Sequence, residues 1–396
     1  MKKKSFLERE KKMTSIRNYG AREEKYLKEV LASGKLSSLA GGTFTPRFET
    51  GFAKSNGSRH AVAMNTCMSA LHAALICAGA GTGDEVICDS EFIFGALAVL
   101  YTDAIPVFID IDPVTHNMNP DSIAPAVTER TKAIIVTHAW GLPAEMDRIT
   151  AIARKHKLFV IEDCAEAVLA TYKGKYTGNW GDIGCFSFQS SKQLSLGDGG
   201  MAVTNDGKLY KELGKHAGAP TFLSVAYSLD YNYRITEQTA AIGLAQLATL
   251  PKTIKLLAKN AGYYDQAVAD CKWLKLQRGP AGAVHTFYHW ATTFCGEEHG
   301  LSLNDFKKAI SRANIASVSI GYTQKPAYQH PLIEKRLAHA FHCPENKGHS
   351  GRYTAGTCPV AERIIPRLVM GYVLETEETA KREAEKIHNV IAELET

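Results

Sequence analysis

The chain lacks the features that would assign it to an extracellular, membrane-spanning or nucleic-acid-binding class. None of its nine cysteines belongs to a CxxC pair, and no uncharged apolar run reaches the ~18 residues of a membrane-spanning helix. The N-terminal stretch has no apolar segment ahead of a small-residue cleavage site. The net charge is only +5, and most basic residues are scattered. These absences predict reduced thiols and a cytoplasmic protein without nucleic-acid or membrane partners.

Charge of one sign accumulates only at the N-terminus, where lysines stand at positions 2–4, 11 and 12. Short terminal charge runs of this kind are typical of solvated tails. We therefore predict that residues 1–22 form a tail. Met13 is an alternative start, which would make the residues before it dispensable.

Length and patterning predict two lobes. The chain has 396 residues, of which 45% are hydrophobic and 22% charged, and it exceeds the usual size of a single domain. Between residues 23 and 250, short apolar runs without strict alternation are separated by helical patterns, as expected for parallel strands that crossover helices bury on both faces. The predicted strands lie at 60–64, 85–88, 106–109, 133–137, 158–161, 186–188 and 201–204, and the predicted helices at 69–78, 94–101 and 146–155.

The pattern changes after about residue 250 and predicts a smaller α+β domain over residues 251–396. Long helical patterns cover 252–271, 302–314 and 376–393, with a strand predicted at 285–294. Ser302 or Asn304 is suited to cap the second helix, and Thr376 precedes Glu377 and Glu378 as a cap for the last.

Asp163 is the first candidate functional residue. It lies in the run EDCAEA at 162–167, directly after the apolar run 158–161. An acidic residue at the carboxyl end of a parallel strand points into the crevice where α/β sheets bind ligands. Taken alone, the same residue is more readily explained as a helix cap or a surface carboxylate.

Lys192 is the second candidate. It follows small polar residues in the run FSFQSSK and precedes a tight turn of sequence GDGG at 197–200. Small neighbours and glycines leave such a lysine open to a bound aldehyde. The alternative is an exposed loop lysine.

The third candidate is the run Asn65-Thr66-Cys67-Met68-Ser69, between a predicted strand and a predicted helix. Free N–H groups at a helix start bind anions, and a phosphate suits such a site. A plain N-cap by Thr66 or Ser69 is the alternative interpretation.

Four longer stretches make the chain resemble the DegT/DnrJ/StrS sugar aminotransferase family, which belongs to the fold type I enzymes that use pyridoxal phosphate (PLP). They read EDCAEA, GNWGDIGCFSFQSSKQLSLGDGG, NYRITE and CPVAER, and the resemblance runs in register from about residue 23 to 366. It implies an aspartate aminotransferase-like α/β fold with a mostly parallel seven-stranded sheet and a smaller C-terminal α+β lobe. It also implies PLP as the cofactor and a homodimer with a shared active site.

The resemblance carries roles over to individual residues. Lys192 is implied to hold the cofactor as a Schiff base, and Asp163 to pair with its protonated pyridine nitrogen. Ser187 is implied to bind the cofactor phosphate. Asn232 matches a residue that reaches the phosphate of the neighbouring subunit. Phe92 or Phe94 lies where the family places an aromatic ring against the pyridine, with core packing as the alternative for both.

The chain departs from the family pattern near the cofactor. The usual Asn-Ser-Gly-Thr phosphate motif reads Asn65-Thr66-Cys67-Met68, so that backbone N–H groups of Cys67 and Met68, with a hydroxyl of Thr66 or Ser69, are left to hold the phosphate. The usual glutamine facing the ring is Glu166, which adds negative charge. A frequent histidine two residues later is Val168.

The resemblance implies amino transfer from glutamate or glutamine to a keto sugar, most often one linked to a nucleotide. Retention of Lys192 favours transamination over the dehydration carried out by relatives with histidine there. A keto-cyclitol acceptor of the scyllo-inosose type is the first alternative, and a non-catalytic PLP-binding regulatory protein is the second. Basic groups for a diphosphate and acceptor-site residues remain weaker candidates: Arg234, Lys325, Tyr322, His330 and Trp140.

Overall fold

The computed structural model describes residues 19–218, 230–321 and 323–395. The N-terminal lysines, Met13 and Tyr322 lie outside these residues. The α-helices are α1 (Ala21–Ser33), α2 (Phe44–Asn56), α3 (Cys67–Cys77), α4 (Ile93–Tyr101), α5 (Ile123–Ala126), α6 (Met146–His156), α7 (Gly207–Ala217), α8 (Glu237–Leu247), α9 (Leu250–Ala267), α10 (Leu303–Arg312), α11 (Pro331–Glu334), α12 (Pro359–Ile364) and α13 (Glu377–Leu394). Within the described ranges, no helix combines the length and apolar character that a bilayer crossing requires.

Seven strands form the central sheet: β1 (His60–Met64), β2 (Glu85–Asp89), β3 (Ile105–Ile109), β4 (Thr131–Thr137), β5 (Phe159–Asp163), β8 (Ile183–Ser187) and β9 (Gly200–Thr204). Their order across the sheet is β1-β9-β8-β5-β4-β2-β3, which confirms the predicted fold class. Strand β9 pairs antiparallel with both β1 and β8, while the remaining neighbours pair in parallel.

Strands β1, β2, β4, β5 and β8 run in the same direction, since β9 is antiparallel to both β1 and β8 and the others pair in parallel. Their carboxyl ends therefore lie at one edge of this sheet, which we call the carboxyl edge. All residues of β2 and β3 are buried, because helices cover both faces of the sheet. Ligand sites of open α/β sheets lie at this edge. The predicted candidates at Asp163, at Ser187 and after Met64 are therefore neighbours in the fold.

A second sheet has four strands: β10 (Leu274–Leu276), β12 (Trp290–Phe294), β13 (Val318–Ile320) and β14 (Leu368–Gly371). Their order is β10-β12-β14-β13. Apolar side chains from this sheet pack with those of α9, α10 and α13 in one core. This α+β arrangement confirms the predicted C-terminal architecture, while the division at residue 250 stays a prediction. Three short strands form a further small sheet: β6 (Thr171–Tyr172), β7 (Lys175–Tyr176) and β11 (Ala283–Val284).

Two predicted helix caps are confirmed. The Ser302 hydroxyl accepts from the N–H of Asp305 at the start of α10. The Thr376 hydroxyl accepts from the N–H of Thr379 at the start of α13. Each hydroxyl satisfies an N–H group that has no acceptor within its own helix.

The strand predicted over 285–294 is wrong for its first half, because only Trp290–Phe294 is extended in the sheet. The N–H of Thr286 donates to the carbonyl of Gly141, and the N–H of Tyr288 donates to that of Trp140. Phe287 adopts a positive φ of 48°. Residues 285–289 therefore bond to the turn at 139–141 instead of to a sheet neighbour.

Buried Glu237, the first residue of α8, links this helix to the start of α2. Its carboxylate is 1% exposed and accepts from the N–H of Phe44 at 2.7 Å and the N–H of Thr45 at 3.0 Å. The Thr45 hydroxyl donates to the same carboxylate at 2.6 Å. These N–H groups open α2 and have no acceptor within it. A side chain distant in sequence thus caps this helix.

We expect Glu237→Ala to lower the free energy of unfolding by about 3 kcal/mol, because three buried donors would lose a charged acceptor. Chemical denaturation followed by far-ultraviolet circular dichroism measures the change. Glu129→Ala is the control, since Glu129 is exposed and exposed substitutions shift stability by under about 0.5 kcal/mol. Equal effects of the two substitutions would contradict the capping role.

Candidate active site

Asp163 ends β5 at the carboxyl edge and is 3% exposed. Its Oδ1 accepts from the N–H of Ala165 at 3.0 Å. Burial raises the pKa of Asp163 to about 6, and the Ala165 N–H and the charge of Lys192 oppose this rise. The helix-cap and surface-carboxylate interpretations are wrong, because the residue is buried and no helix begins there. A carboxylate in this position is suited to a cationic partner.

Lys192 lies beside Asp163 and is largely buried, with 14% of its side chain exposed. Its Nζ is 3.4 Å from Oε1 of Glu166 and 3.9 Å from the centroid of the Tyr288 ring. The exposed-loop alternative for this lysine is therefore wrong. An amine over an aromatic face, beside a carboxylate, is held in place and shielded from bulk water.

Glu166 is fixed by its second oxygen, since the N–H of Trp140 donates to Oε2 at 3.0 Å. Burial raises the pKa of Glu166, and the neighbouring Lys192 lowers it. The residue that departs from the family pattern thus contacts the candidate lysine directly. It adds a second carboxyl group within reach of the same ammonium.

Two further carboxyl groups lie at the end of β2, those of Asp89, its last residue, and Glu91, and neither was predicted from the sequence. Asp89 accepts from the Thr137 hydroxyl at 2.6 Å and from the N–H groups of Glu91 and Phe92. Glu91 is 1% exposed, and neither of its carboxylate oxygens has a hydrogen-bond partner among the described residues. Burial, with the charges of Asp89 and Glu166, raises the pKa of Glu91 well above its ordinary range. The run Asp-Ser-Glu after an apolar strand was the available signal, since the same pattern selected Asp163.

The predicted anion site lies at the start of α3. The Thr66 hydroxyl accepts from the N–H of Ser69 at 3.0 Å, and the Ser69 hydroxyl donates to Oδ1 of Asn65 at 2.6 Å. Thr66 is therefore the N-cap. Helix geometry leaves the N–H groups of Cys67 and Met68 without acceptors inside the helix, which is the arrangement that binds anions.

Gly200, the first residue of β9, packs against this helix start. A Cβ atom placed on Gly200 would lie 2.3 Å from the Thr66 carbonyl carbon and 2.6 Å from the Cys67 nitrogen. Only glycine permits this approach. Ser187 ends β8 at the same edge, and its Oγ accepts one long bond, from the N–H of Gln189 at 3.4 Å.

The two phenylalanines differ in their surroundings. Phe92 is 6% exposed, and its ring centroid lies 4.9 Å from that of the buried Trp140. Phe94 is 52% exposed. Burial against Trp140, whose N–H donates to Glu166, favours Phe92 as the ring of the site.

Asn232 is exposed and lies next to Tyr233, whose carbonyl accepts from the N–H of Asn65 at 2.7 Å. Among the weaker candidates, Arg234 donates to the carbonyl of Gly218 at 3.3 Å. Trp140 is fully buried, whereas His330 and Lys325 are partly exposed.

The chain is similar to known proteins of one family. Residues 18–369 match the model of the DegT/DnrJ/EryC1/StrS aminotransferase family. The chain is 38% identical over 271 residues to GDP-perosamine synthase of Escherichia coli O157:H7, covering 67% of this chain and 73% of that protein. It is 30% identical over 343 residues to L-glutamine:2-deoxy-scyllo-inosose aminotransferase of Streptoalloteichus tenebrarius, covering 82% and 79%.

The fold is similar to that of a solved aminotransferase from Psychrobacter cryohalolentis. The TM-score is 0.84 at 29% identity, and the match covers 97% of this chain and 100% of that one.

We expect Asp163→Asn to stabilise the cofactor-free protein by about 3 kcal/mol at about pH 7.5. The native pKa of about 6 lies above the ordinary value of 3.8, so the native state binds this proton more tightly than the unfolded chain. The wild-type penalty therefore grows as the pH rises from about 4 to 6 and is complete above 6. Chemical unfolding at about pH 5 and pH 7.5 tests this, with roughly half the difference expected at the lower pH.

The matched control is Asp270→Asn, because Asp270 is exposed. A gain in the control as large as that in Asp163→Asn would refute the burial argument. A difference of the same size at both pH values would refute it as well.

Proposed function

Because the chain belongs to the DegT/DnrJ/EryC1/StrS aminotransferase family, we propose that it transfers an amino group from glutamate or glutamine to a nucleotide-linked keto sugar. Membership makes it a PLP-dependent aminotransferase of the fold type I class. The observation that carries the proposal is the juxtaposition of Lys192, Asp163 and the start of α3 at one sheet edge. The acceptor class rests on the similarity to GDP-perosamine synthase.

The residues at the carboxyl edge fit PLP on two grounds. The buried Asp163, with its raised pKa, is suited to a cationic ring nitrogen, which would return the carboxylate to its ionised form. The start of α3, with the Ser187 hydroxyl nearby in the fold, is suited to a phosphate dianion. The contact of Gly200 brings β9, which follows the glycine turn at 197–200, against the start of α3. The backbone N–H groups of Cys67 and Met68 are suited to bind the phosphate. The glycine of the family motif is therefore not needed for an anion site here.

When bound, PLP supplies an electron sink for the carbon that loses a proton. We assign to Lys192 the tasks of holding the cofactor aldehyde and of moving the proton. Its Nζ takes the proton from the α-carbon of the amino donor, and it returns a proton to the acceptor carbon in the reverse half of the reaction. Glu166 and Tyr288 set the position of this nitrogen, since one accepts from it and the other lies beneath it.

Phe92 and His289 have different tasks in this proposal. We assign to Phe92 the contact with the flat face of the cofactor. Buried His289 stays neutral, because burial and the charge of Lys192 lower its pKa to about 3. It therefore adds no positive charge that would compete with Lys192 for the carboxylates.

The homodimer with Asn232 reaching the neighbouring active site is part of this proposal. Its support is the exposure of Asn232 next to the chain segment that holds Asn65. Cytoplasmic location stays a prediction from the sequence.

We expect Lys192→Ala to abolish the absorption band of the lysine-bound cofactor and to lower amino transfer by at least about a thousandfold. The cause is the loss of the amine assigned to hold the cofactor. Absorbance spectra of the purified protein with added PLP measure the first effect. Lys208→Ala, on the exposed start of α7, should leave both unchanged. A persisting band in Lys192→Ala would refute the assignment.

An acceptor panel distinguishes the proposed substrate from its alternatives. With glutamate or glutamine as donor, we expect turnover of GDP-linked or UDP-linked keto sugars and at least tenfold lower turnover of scyllo-inosose. The reverse order would select the keto-cyclitol function, which the Streptoalloteichus relative represents. Conversion of the bound cofactor to pyridoxamine phosphate by the donor alone would exclude a purely regulatory binding protein. Mass spectrometry of the products provides the measurement.

A further inference from the structure

Three side chains of types that bind transition metals in proteins lie together at the edge of the central sheet opposite the candidate active site. Asp103 lies in the turn that leads from α4 into the amino end of β3. His339 starts a short 3-10 segment, His339–His342, and Cys343 follows directly after it. One ligand atom from each of the three lies within 4.8 Å of the other two. None of these residues takes part in the chemistry described above.

The distances match those of a tetrahedral zinc site. With a Zn–S bond of about 2.3 Å and Zn–N and Zn–O bonds of about 2.0 Å, the nitrogen lies roughly 3.5 Å from the sulfur and roughly 3.3 Å from the oxygen. The observed separations from Nδ1 of His339 are 3.6 Å to Sγ of Cys343 and 3.0 Å to Oδ1 of Asp103. Carboxylate, imidazole and thiolate are all zinc ligands in proteins.

The cluster also has hydrogen bonds of its own. Nδ1 of His339 faces both the Asp103 carboxylate and the Cys343 sulfur, and the Cys343 thiol donates to the carbonyl of His339 at 3.7 Å. A protonated Nδ1 therefore donates to the carboxylate while the thiol donates to that carbonyl. When a divalent cation replaces the two protons, the carboxylate oxygen, Nδ1 and the thiolate sulfur all face it as electron-pair donors.

The surrounding structure holds the three ligands in place. Asn346 is 2% exposed, and its Nδ2 donates to the carbonyl of Asp103 at 2.9 Å and to the carbonyl of Ala340 at 2.6 Å. One buried amide thus links the Asp103 turn to the segment that carries His339. Cys343 is 8% exposed, whereas the side chain of His339 is 79% exposed, so water has access on one side.

We propose that Asp103, His339 and Cys343 bind a zinc ion, with water as the fourth ligand. The ion joins two chain segments that lie 236 residues apart in sequence. It acts as a clamp between the central sheet and the segment that follows α11. The proposal does not depend on the aminotransferase assignment, since no ligand is shared with that site.

Zinc affinity of the full-length, PLP-loaded protein tests the proposal. After dialysis against a chelator, zinc is titrated in competition with a chromophoric chelator. We expect the wild type to bind one zinc ion per chain with micromolar or tighter affinity. Asp103→Asn, His339→Gln and Cys343→Ser should each weaken binding at least tenfold, because each removes one ligand. The control is His342→Gln, since His342 is an exposed histidine of the same segment and lies outside the cluster.

X-ray absorption at the zinc edge identifies the ligands directly. We expect one sulfur neighbour at about 2.3 Å in the wild type and none in Cys343→Ser. Among the three ligand variants, we expect Asp103→Asn to disturb folding least. Asp103 is part-exposed, and asparagine tolerates its positive φ of 58°. Absence of micromolar binding by the wild type would overturn the proposal. Equal binding by the wild type and the three ligand variants would place the metal elsewhere and overturn it too.

Discussion

Parallel pairing brings the carboxyl ends of β2, β4, β5 and β8 to one edge of the central sheet, and residues at or just beyond these strand ends build the site. A slip of β5 by one residue would turn Asp163 to the other face, since side chains alternate along a strand. The hydrogen bonds of β5 to β4 and β8 on both sides prevent that slip. The position of Asp163 at this edge therefore depends on the backbone register of β5.

The charge balance at this edge is unusual. Four buried carboxyl groups, those of Asp89, Glu91, Asp163 and Glu166, lie close enough to influence one another, and Lys192 contacts Glu166. Ionising all of them in a dry interior would cost more free energy than one ammonium returns. Burial accordingly raises the pKa of Glu91 and of Glu166, and the charge of Lys192 opposes this rise at Glu166. A pocket of this kind favours cations, and both a protonated ring nitrogen and an incoming amino group meet that requirement.

Much of the fold was predictable because buried strands and capped helices have local signatures. The apolar runs marked the central strands, and Ser302 and Thr376 marked helix starts through their hydroxyls. Residues 285–289 were mispredicted because their N–H groups bond to a turn far away in sequence. The carboxylate of Glu237 caps a helix almost two hundred residues earlier in the chain, and no local pattern reports that. At the site, Asp163, Ser187 and Lys192 were selected from the sequence, and Glu91 carried a local signal that was overlooked, whereas Tyr288 is brought to Lys192 only by tertiary packing.

The segment that carries Tyr288 holds the two sheets together mechanically. Its N–H is bonded to the turn at Trp140, its hydroxyl lies 2.9 Å from that of Ser191, and β12 begins two residues later. This segment therefore links the packing of the smaller sheet to Lys192, whose Nζ lies 3.9 Å from the centroid of the Tyr288 ring.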